Sequence, residues 1–271
     1  MKLNKTIEYC NLATKIALYA GSIAKDLQKL ELHQKNKSSY KDIVTDGDLK
    51  AEKCIVDSLA STGLNILTEE TGHMDKGGKS TWIIDPIDGT TQYSHGNPGW
   101  GISIALSEEN EINMGVLYFP HYNQLYTGIK SQGAYHNGVP IKVSDVKELS
   151  SALVDVAYLD DMKRLFSLME NIYDKSQKTI IMGSHAESLA NIANGSLDAS
   201  IALSSNCWDY AAGDLIVKES GGTITDFDGK IVQYDSLGKP KTKNILATNG
   251  YLHEIILEEL AKVNLEEVIQ K

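Results

Sequence analysis

The stretch Trp82-Ile-Ile-Asp-Pro-Ile-Asp-Gly-Thr-Thr91 ends an apolar run in two aspartates, Asp85 and Asp88, with a proline between them and glycine and threonine directly after. Pro86 fixes its own φ and disfavours helix at Asp85, so a buried strand is expected to end here, with both carboxylates in the bend where they can converge. Gly89 lets the backbone approach a ligand, and Thr90 and Thr91 can open a helical turn whose free N–H groups face the same spot. Two carboxylates beside such a turn suit a hard cation such as Mg²⁺ lying between acid and phosphate. Without a cation, the neighbouring like charges would raise each other's pKa. Taken by itself, the stretch reads equally well as an Asp-Pro turn with an Asx cap.

Two other segments carry acids in comparable settings. Leu67-Thr-Glu-Glu-Thr-Gly72 places Glu69 and Glu70 at the end of another short apolar run, 16 residues before Asp85; alone, it also reads as a solvated acidic loop. Cys207-Trp-Asp-Tyr-Ala-Ala-Gly-Asp214 puts Asp209 at an expected helix N-terminus, where the helix dipole favours a carboxylate and a plain N-cap is the bland alternative. Ala211, Ala212 and Gly213 are small enough for another backbone or a ligand to pack close.

Around these segments the periodicity changes along the chain. Apolar residues at three- and four-residue spacing predict a long amphipathic helix over 6–32, followed by a polar loop over 34–41. A second helix is expected from near Thr45, with Ala51, Ile55, Val56 and Leu59 inward. Short apolar runs at 65–68, 81–84, 101–106, 114–118 and 124–127, separated by turn residues, predict antiparallel strands. Beyond residue 145 strands (152–156, 179–182, 199–202) alternate with helices (161–173, 186–194, 209–220). A hairpin at Asp226-Phe-Asp-Gly229 and a last helix from near Gly250 follow. The expected organisation is residues 1–145, a helix pair plus a mostly antiparallel sheet bearing most of the acids, and residues 146–271, an α/β half bearing Asp209, together one catalytic unit.

With 271 residues the chain can bury a sizeable core as one large domain or two lobes. Its net charge of -10 argues against nucleic acid or an anionic membrane as a partner. The positive charges are lysines apart from Arg164, so an anion site here cannot be an arginine cluster. Cys10, Cys54 and Cys207 are far apart and form no Cys-x-x-Cys pair, which indicates neither a disulfide framework nor a zinc site. No apolar run approaches the ~20 residues of a membrane span. The opening Met-Lys-Leu-Asn-Lys-Thr leads into an amphipathic pattern without a signal-peptide core, so a cytoplasmic protein is expected.

Taken together and in this order, Thr-Glu-Glu (68–70), Asp-Pro-Ile-Asp-Gly-Thr (85–90) and Trp-Asp-x-Ala-Ala-Gly (208–213) closely resemble the inositol monophosphatase family. These are Mg²⁺-dependent, lithium-sensitive phosphatases, a group that includes fructose-1,6-bisphosphatases and bisphosphate nucleotidases. The likeness extends to Asp42-Ile-Val-Thr-Asp-Gly-Asp48, Gly133-Ala-Tyr-His-Asn-Gly138 and Glu219-Ser-Gly-Gly222, covering most of the chain. It implies an α+β fold layered as an αβαβα sandwich, and a homodimer. It further implies two or three Mg²⁺ ions held by Glu69, Asp85, the Ile87 carbonyl, Asp88 and Asp209. Thr90, hydrogen-bonded to the region of Glu69, would orient the attacking water, and the N–H groups of Gly89 and Thr90 would hold the phosphate. Asp48 is implied near the metals, Glu70 beside the ligands and Lys37 on a loop close by, while Ser184, His185 and Asp209 are implied at the substrate. The implied reaction is in-line attack of water on a small phosphate monoester. No Cys or Ser nucleophile motif suggests a phosphoenzyme.

Inositol-specific members of the family commonly carry a glutamate seven residues before the Trp-Asp aspartate, where this chain has Ala202. That departure leaves room for fructose-1,6-bisphosphate or another sugar phosphate. Scarce cations speak against a dedicated bisphosphatase, and Thr91-Gln92 against the nucleotide branch. The expectation is therefore an inositol-1-phosphate-type monophosphatase with room for broad specificity. Fructose-1,6-bisphosphatase is the alternative, and a catalytically silent binding protein on the same fold the remoter one. Other motifs carry less: Gly77-Gly-Lys-Ser80 lacks the first glycine of a P-loop, and Asp226-Phe-Asp-Gly229 reads as a hairpin turn rather than a calcium loop. His95 either flanks the site or caps a helix.

Overall fold

Small residues on one face of the first helix let it lie flat on a sheet. In the computed structural model, which describes residues 2–30, 34–37, 43–157, 162–235 and 243–263, α1 (Leu3–Gln28) buries Thr6, Tyr9, Cys10, Ala13, Ile16, Ala17, Ala20, Gly21 and Ala24. It ends before the predicted residue 32, and 31–33 lie outside the described residues. The polar loop expected over 34–41 instead contributes a strand. β1 (Gln34–Asn36) pairs antiparallel with β2 (Ile43–Thr45), and 38–42 lie outside the described residues. At α2 (Asp46–Leu59) Thr45 accepts the N–H groups of Gly47 and Asp48 while Asp48 accepts that of Thr45, a reciprocal cap that fixes where the helix starts.

Eight strands follow: β3 (Asn65–Thr68), β4 (Gly72–Met74), β5 (Ser80–Asp88), β6 (Gly101–Glu108), β7 (Glu111–Phe119), β8 (Gln124–Ile129), β9 (Ala134–His136) and β10 (Val139–Pro140), with the short helix α3 (Thr90–Ser94) after β5. They form one sheet in the order β10-β9-β8-β7-β6-β5-β3-β4. Pairing is antiparallel except between β3 and β5, which run parallel, a feature not expected from the sequence. The second half comprises β11 (Leu153–Ala157), α4 (Met162–Tyr173), β12 (Lys178–Ile180), α5 (His185–Ala193), β13 (Ala199–Ala202), α6 (Cys207–Glu219), β14 (Thr223–Thr225), β15 (Ile245–Thr248) and α7 (His253–Leu260). Its five strands form a mixed sheet, β12-β11-β13-β15-β14.

These elements stack as αβαβα. α1 and α2 cover one face of the large sheet, α5 and α6 lie between the two sheets, and α4 and α7 cover the far face of the small one. Three apolar cores follow the layers, and the central one joins residues from both halves, from Leu67 and Ile83 to Ala202 and Ile245. Among the described residues no helix is long and apolar enough to cross a membrane. The room left by the small residues of α6 is taken by the protein's own chain rather than a ligand. A Cβ on Gly115 of β7 would stand 2.5 Å from the Ala212 carbonyl oxygen, and one on Gly213 would stand 2.4 Å from Leu189. Gly115→Ala should therefore overpack the α6–β7 contact and lower stability by about 1–3 kcal/mol. Urea denaturation checks this against Gly78→Ala, whose Cβ would meet nothing closer than 4.0 Å.

Candidate metal centre

In a regular strand, residues three apart point to opposite faces. Asp85 and Asp88 escape this because β5 is irregular between them. Its ladder with β6 runs from Ser80↔Glu108 to Asp85↔Ser103, skips Pro86 and Ile87, and resumes at Asp88↔Gly101. Pro86 has no N–H to give the ladder, so the interruption falls on it. The expected strand end at Ile84 is thus corrected: β5 continues through Asp88 because β6 still pairs there. Ile87 packs into a small core with Ala24, Ala51, Tyr93 and Trp100, which seats the bend against both N-terminal helices. Gly89 then turns with φ 92°, and α3 begins at Thr90. A Cβ on Gly89 would lie 2.9 Å from the Gly99 carbonyl oxygen, so glycine is required here by the chain itself.

Asp209 reaches the same place from residue 207 onward. It is the third residue of α6 rather than its first, and Asn206 caps the helix while Asp209 accepts the Asn206 N–H at 2.8 Å. Asp85, Asp88 and Asp209 each offer a carboxylate oxygen, all within 4.8 Å of one another. One oxygen of each is tied to the chain. Asp85 accepts the Ile87 N–H at 3.0 Å, Asp88 accepts the Ser184 hydroxyl and the Ala186 N–H (2.8 Å), and Asp209 also accepts the Ser205 hydroxyl at 3.1 Å.

Gathering these charges has an electrostatic cost. Burial, then the charges of Glu69, Asp88 and Asp209, hold Asp85 well above the ordinary carboxylate range. Asp209 is raised in the same way by burial, Asp88 and Glu69. For Asp88, burial outweighs the hydrogen bonds from Ser184 and Ala186 and pushes the carboxyl up to about 6. Asp48 is also raised to about 6 by burial, against its bonds from Thr45.

Glu69 and Glu70 occupy the turn between β3 and β4, and the nearest cation to them is Lys37, whose Nζ donates to Glu69 at 2.8 Å and to Glu70 at 2.5 Å. Burial works against the Lys37 charge, but the two glutamates outweigh it and hold the ammonium above the ordinary lysine range. Burial and the Glu69 charge raise Glu70 to about 7 in spite of its bond from Lys37. The hydroxyl of Thr90 bonds Asp48 Oδ1 and the Ile87 carbonyl, both at 3.1 Å, so its direct partner is Asp48 rather than the region of Glu69. The reason lies in α2: Asp48 at its N-terminus is the acid that faces α3.

Ser184 caps α5 and His185 is its first residue, buried, with Nδ1 2.8 Å from the Ser205 hydroxyl. Ser205 gives its proton to Asp209, so His185 holds its own on Nδ1 and leaves Nε2 unprotonated and without a partner. Burial keeps the ring neutral, its pKa lowered to about 4. Ala202 ends β13 fully buried, and His95 is exposed with Nδ1 on the Thr91 carbonyl, a helix cap. Missed in the sequence were Ser205, Asn206 and Ala186 as donors to the aspartates. Asn206, three residues before Asp209, was the available signal for a capping box. The donor set consists of oxygens, mutually repelling and buried, which fits a hard divalent cation.

Fold and site define a layered α/β protein with a carboxylate cluster suited to a divalent cation. The chain belongs to the inositol monophosphatase family, whose model matches residues 6–265. It is 36% identical over 235 residues to the fructose-1,6-bisphosphatase/inositol-1-monophosphatase of Thermotoga maritima, covering 86% of this chain and 87% of that one. It is 33% identical over 227 residues to Nus factor SuhB of Pasteurella multocida, covering 81% and 85%. Among solved structures, an IMPase of Thermotoga maritima matches with TM-score 0.87 at 30% identity, over 96% of this chain and 99% of that one.

The raised carboxyls make stability without metal depend on pH. A native Asp88 with its pKa at about 6 holds a proton that the unfolded chain has already released. Its contribution is therefore full below the ordinary carboxylate range and is lost as pH rises through about 6. Asp88→Asn, which cannot ionise, should gain stability over the parent in chelator as pH rises from about 4 to about 7, by on the order of 2 kcal/mol. The gain should shrink when Mg²⁺ is added. Thermal unfolding of both proteins across that range is the measurement, and a difference flat in pH would contradict the reading.

Proposed function

We propose that this protein is a Mg²⁺-dependent phosphomonoester hydrolase acting on inositol-1-phosphate-type substrates, with room for other sugar phosphates. The observation that carries the reading is the convergence of Asp85, Asp88 and Asp209 within 4.8 Å, beside a threonine hydroxyl already bonded to a fourth acid. Glu69, Asp85, the Ile87 carbonyl, Asp88 and Asp209 would hold the ions. Bound there, Mg²⁺ would neutralise phosphoryl charge and acidify a coordinated water.

The chain's own residues supply orientation. Asp48, ionised above about 6, accepts the Thr90 proton at Oδ1. That leaves a Thr90 lone pair to accept a hydrogen from the attacking water, and Glu69 accepts the other. The N–H groups of Gly89 and Thr90, at the start of α3, are assigned to the phosphate. Ser184 and Ala186 keep Asp88 from swinging toward the substrate, because both donate to the same oxygen, Oδ2. Ser184, His185 and Asp209 are assigned to the alcohol side. Fructose-1,6-bisphosphate is carried as a second substrate on one observation: Ala202 puts a buried methyl, not a carboxylate, at the end of β13. The double name of the Thermotoga maritima relative supports keeping both substrates in view.

Asp88→Asn should lower kcat by orders of magnitude at saturating Mg²⁺ while the circular dichroism spectrum stays that of the parent, and near-normal turnover would sink the assignment. For the substrate, phosphate release is measured on inositol-1-phosphate, fructose-1,6-bisphosphate, histidinol phosphate, glycerol phosphates and 3',5'-bisphosphoadenosine, with Mg²⁺ and with added Li⁺. Inositol-1-phosphate is expected to lead in kcat/KM, with inhibition by Li⁺. Absence of Mg²⁺-dependent release from every ester would instead favour a silent binding protein.

A further inference from the structure

Glu52 is a charged side chain almost fully buried inside α2, and no lysine pairs with it among the described residues. Its carboxylate is satisfied by three donors that all flank the Glu69–Glu70 turn. Oε1 accepts the Thr68 hydroxyl at 2.6 Å and the Thr71 N–H at 3.0 Å, and Oε2 accepts the Thr71 hydroxyl at 2.8 Å. Thr68 closes β3 on one side of the turn, and Thr71 precedes β4 on the other. Glu52 therefore grips both ends of a two-residue loop whose own side chains point elsewhere, to Lys37.

A purely structural tie between a helix and a turn does not require a buried charge, since an apolar residue of similar size is often as stabilising. What distinguishes this turn is that Glu69 bears a charge close enough to Asp85, Asp88, Asp209 and Asp48 to raise all four. Glu69 itself meets Lys37 at 2.8 Å. One turn of helix before Glu52, on the same face of α2, Asp48 holds the Thr90 hydroxyl. Two carboxylates four residues apart on one rigid helix thus fix two separate segments, the Glu69 turn and the start of α3, relative to each other.

We infer that Glu52 is a positioning residue that holds Glu69 at the cation site against the repulsion of the other acids. The inference rests on Glu69 being a ligand, as proposed above. It is tested by calorimetric binding of Mn²⁺ to the full chain, with unfolding followed in parallel. Glu52→Ala should weaken Mn²⁺ binding by about tenfold or more, as loss of a ligand's supporting partner does. Glu52→Gln, whose amide oxygen still accepts from Thr68 and Thr71, should restore most of the affinity. In a Glu69→Gln background, Glu52→Ala should change Mn²⁺ affinity less than about twofold, because independent sites add and coupled ones do not. Should Glu52→Ala fail to fold, Thr71→Val removes one hydroxyl donor and keeps the backbone N–H, and should weaken binding in the same direction by a smaller factor. A fall in Tm with unchanged Mn²⁺ affinity, or a loss that persists in the Glu69→Gln background, would overturn the inference. If Glu69→Gln alone leaves Mn²⁺ affinity intact, the ligand role of Glu69 falls first and the positioning role with it.

Discussion

Mutual repulsion among buried carboxylates is the constraint around which this molecule is built. Asp85, Asp88 and Asp209 are each pushed upward in pKa by burial and by other acids of the site. Left alone, such groups would protonate or move apart. The fold answers by ending helices on them. The N-terminus of α5 meets Asp88 through Ser184 and Ala186, the first turn of α6 carries Asp209, and α2 begins at the cap that holds Asp48. Each helix start brings positive potential and unsatisfied N–H groups to an acid that would otherwise be costly to bury. The layering, with α5 and α6 between the two sheets and α2 on the outer face of the larger one, delivers these helix starts to the acids.

The acids themselves were legible in the sequence because their immediate neighbours are unusual. The Asp-Pro-Ile-Asp-Gly-Thr run alone reads equally well as a capped turn, and it was the two partner segments in fixed order that brought the family and its layered sandwich into view. Local pattern misled where a tertiary partner decided the outcome. β5 runs past Pro86 because Asp88 still finds Gly101 on β6, a pairing invisible in the strand's own residues. Parallel pairing of β3 with β5 was hidden for the same reason. The small residues of α6 left backbone or ligand equally open, and Gly115 on β7 settles it for backbone.

Side-chain partners were legible in proportion to how close they lie in the chain. Asn206 and Asp209 form a capping box that spacing alone can suggest. Thr90 and Asp48 are 42 residues apart, and the resemblance pointed the hydroxyl at the wrong acid. Glu52, whose donors lie 16 and 19 residues onward, had no local signature, since a glutamate at a helical spacing of four from Asp48 looks like an ordinary polar position. Only the burial of its carboxylate on the inner face of α2 sets it apart.

A division of labour follows from where the parts originate. The turn after β3, the bend in β5 and the start of α3 all belong to the first half, and the proposed water- and phosphate-handling groups sit there. The second half contributes one of the clustered acids, Asp209, and the groups proposed for the alcohol side, Ser184 and His185. His185 is linked to Asp209 through Ser205, and its Nε2 is left without a partner. The start of α5 is not independent of the bend that gathers Asp85 and Asp88, since Ser184 and Ala186 both donate to Asp88. The segment proposed to meet the alcohol thus also fixes one acid of the cluster, so a substitution at Ser184 would act on Asp88 as well as on the substrate side.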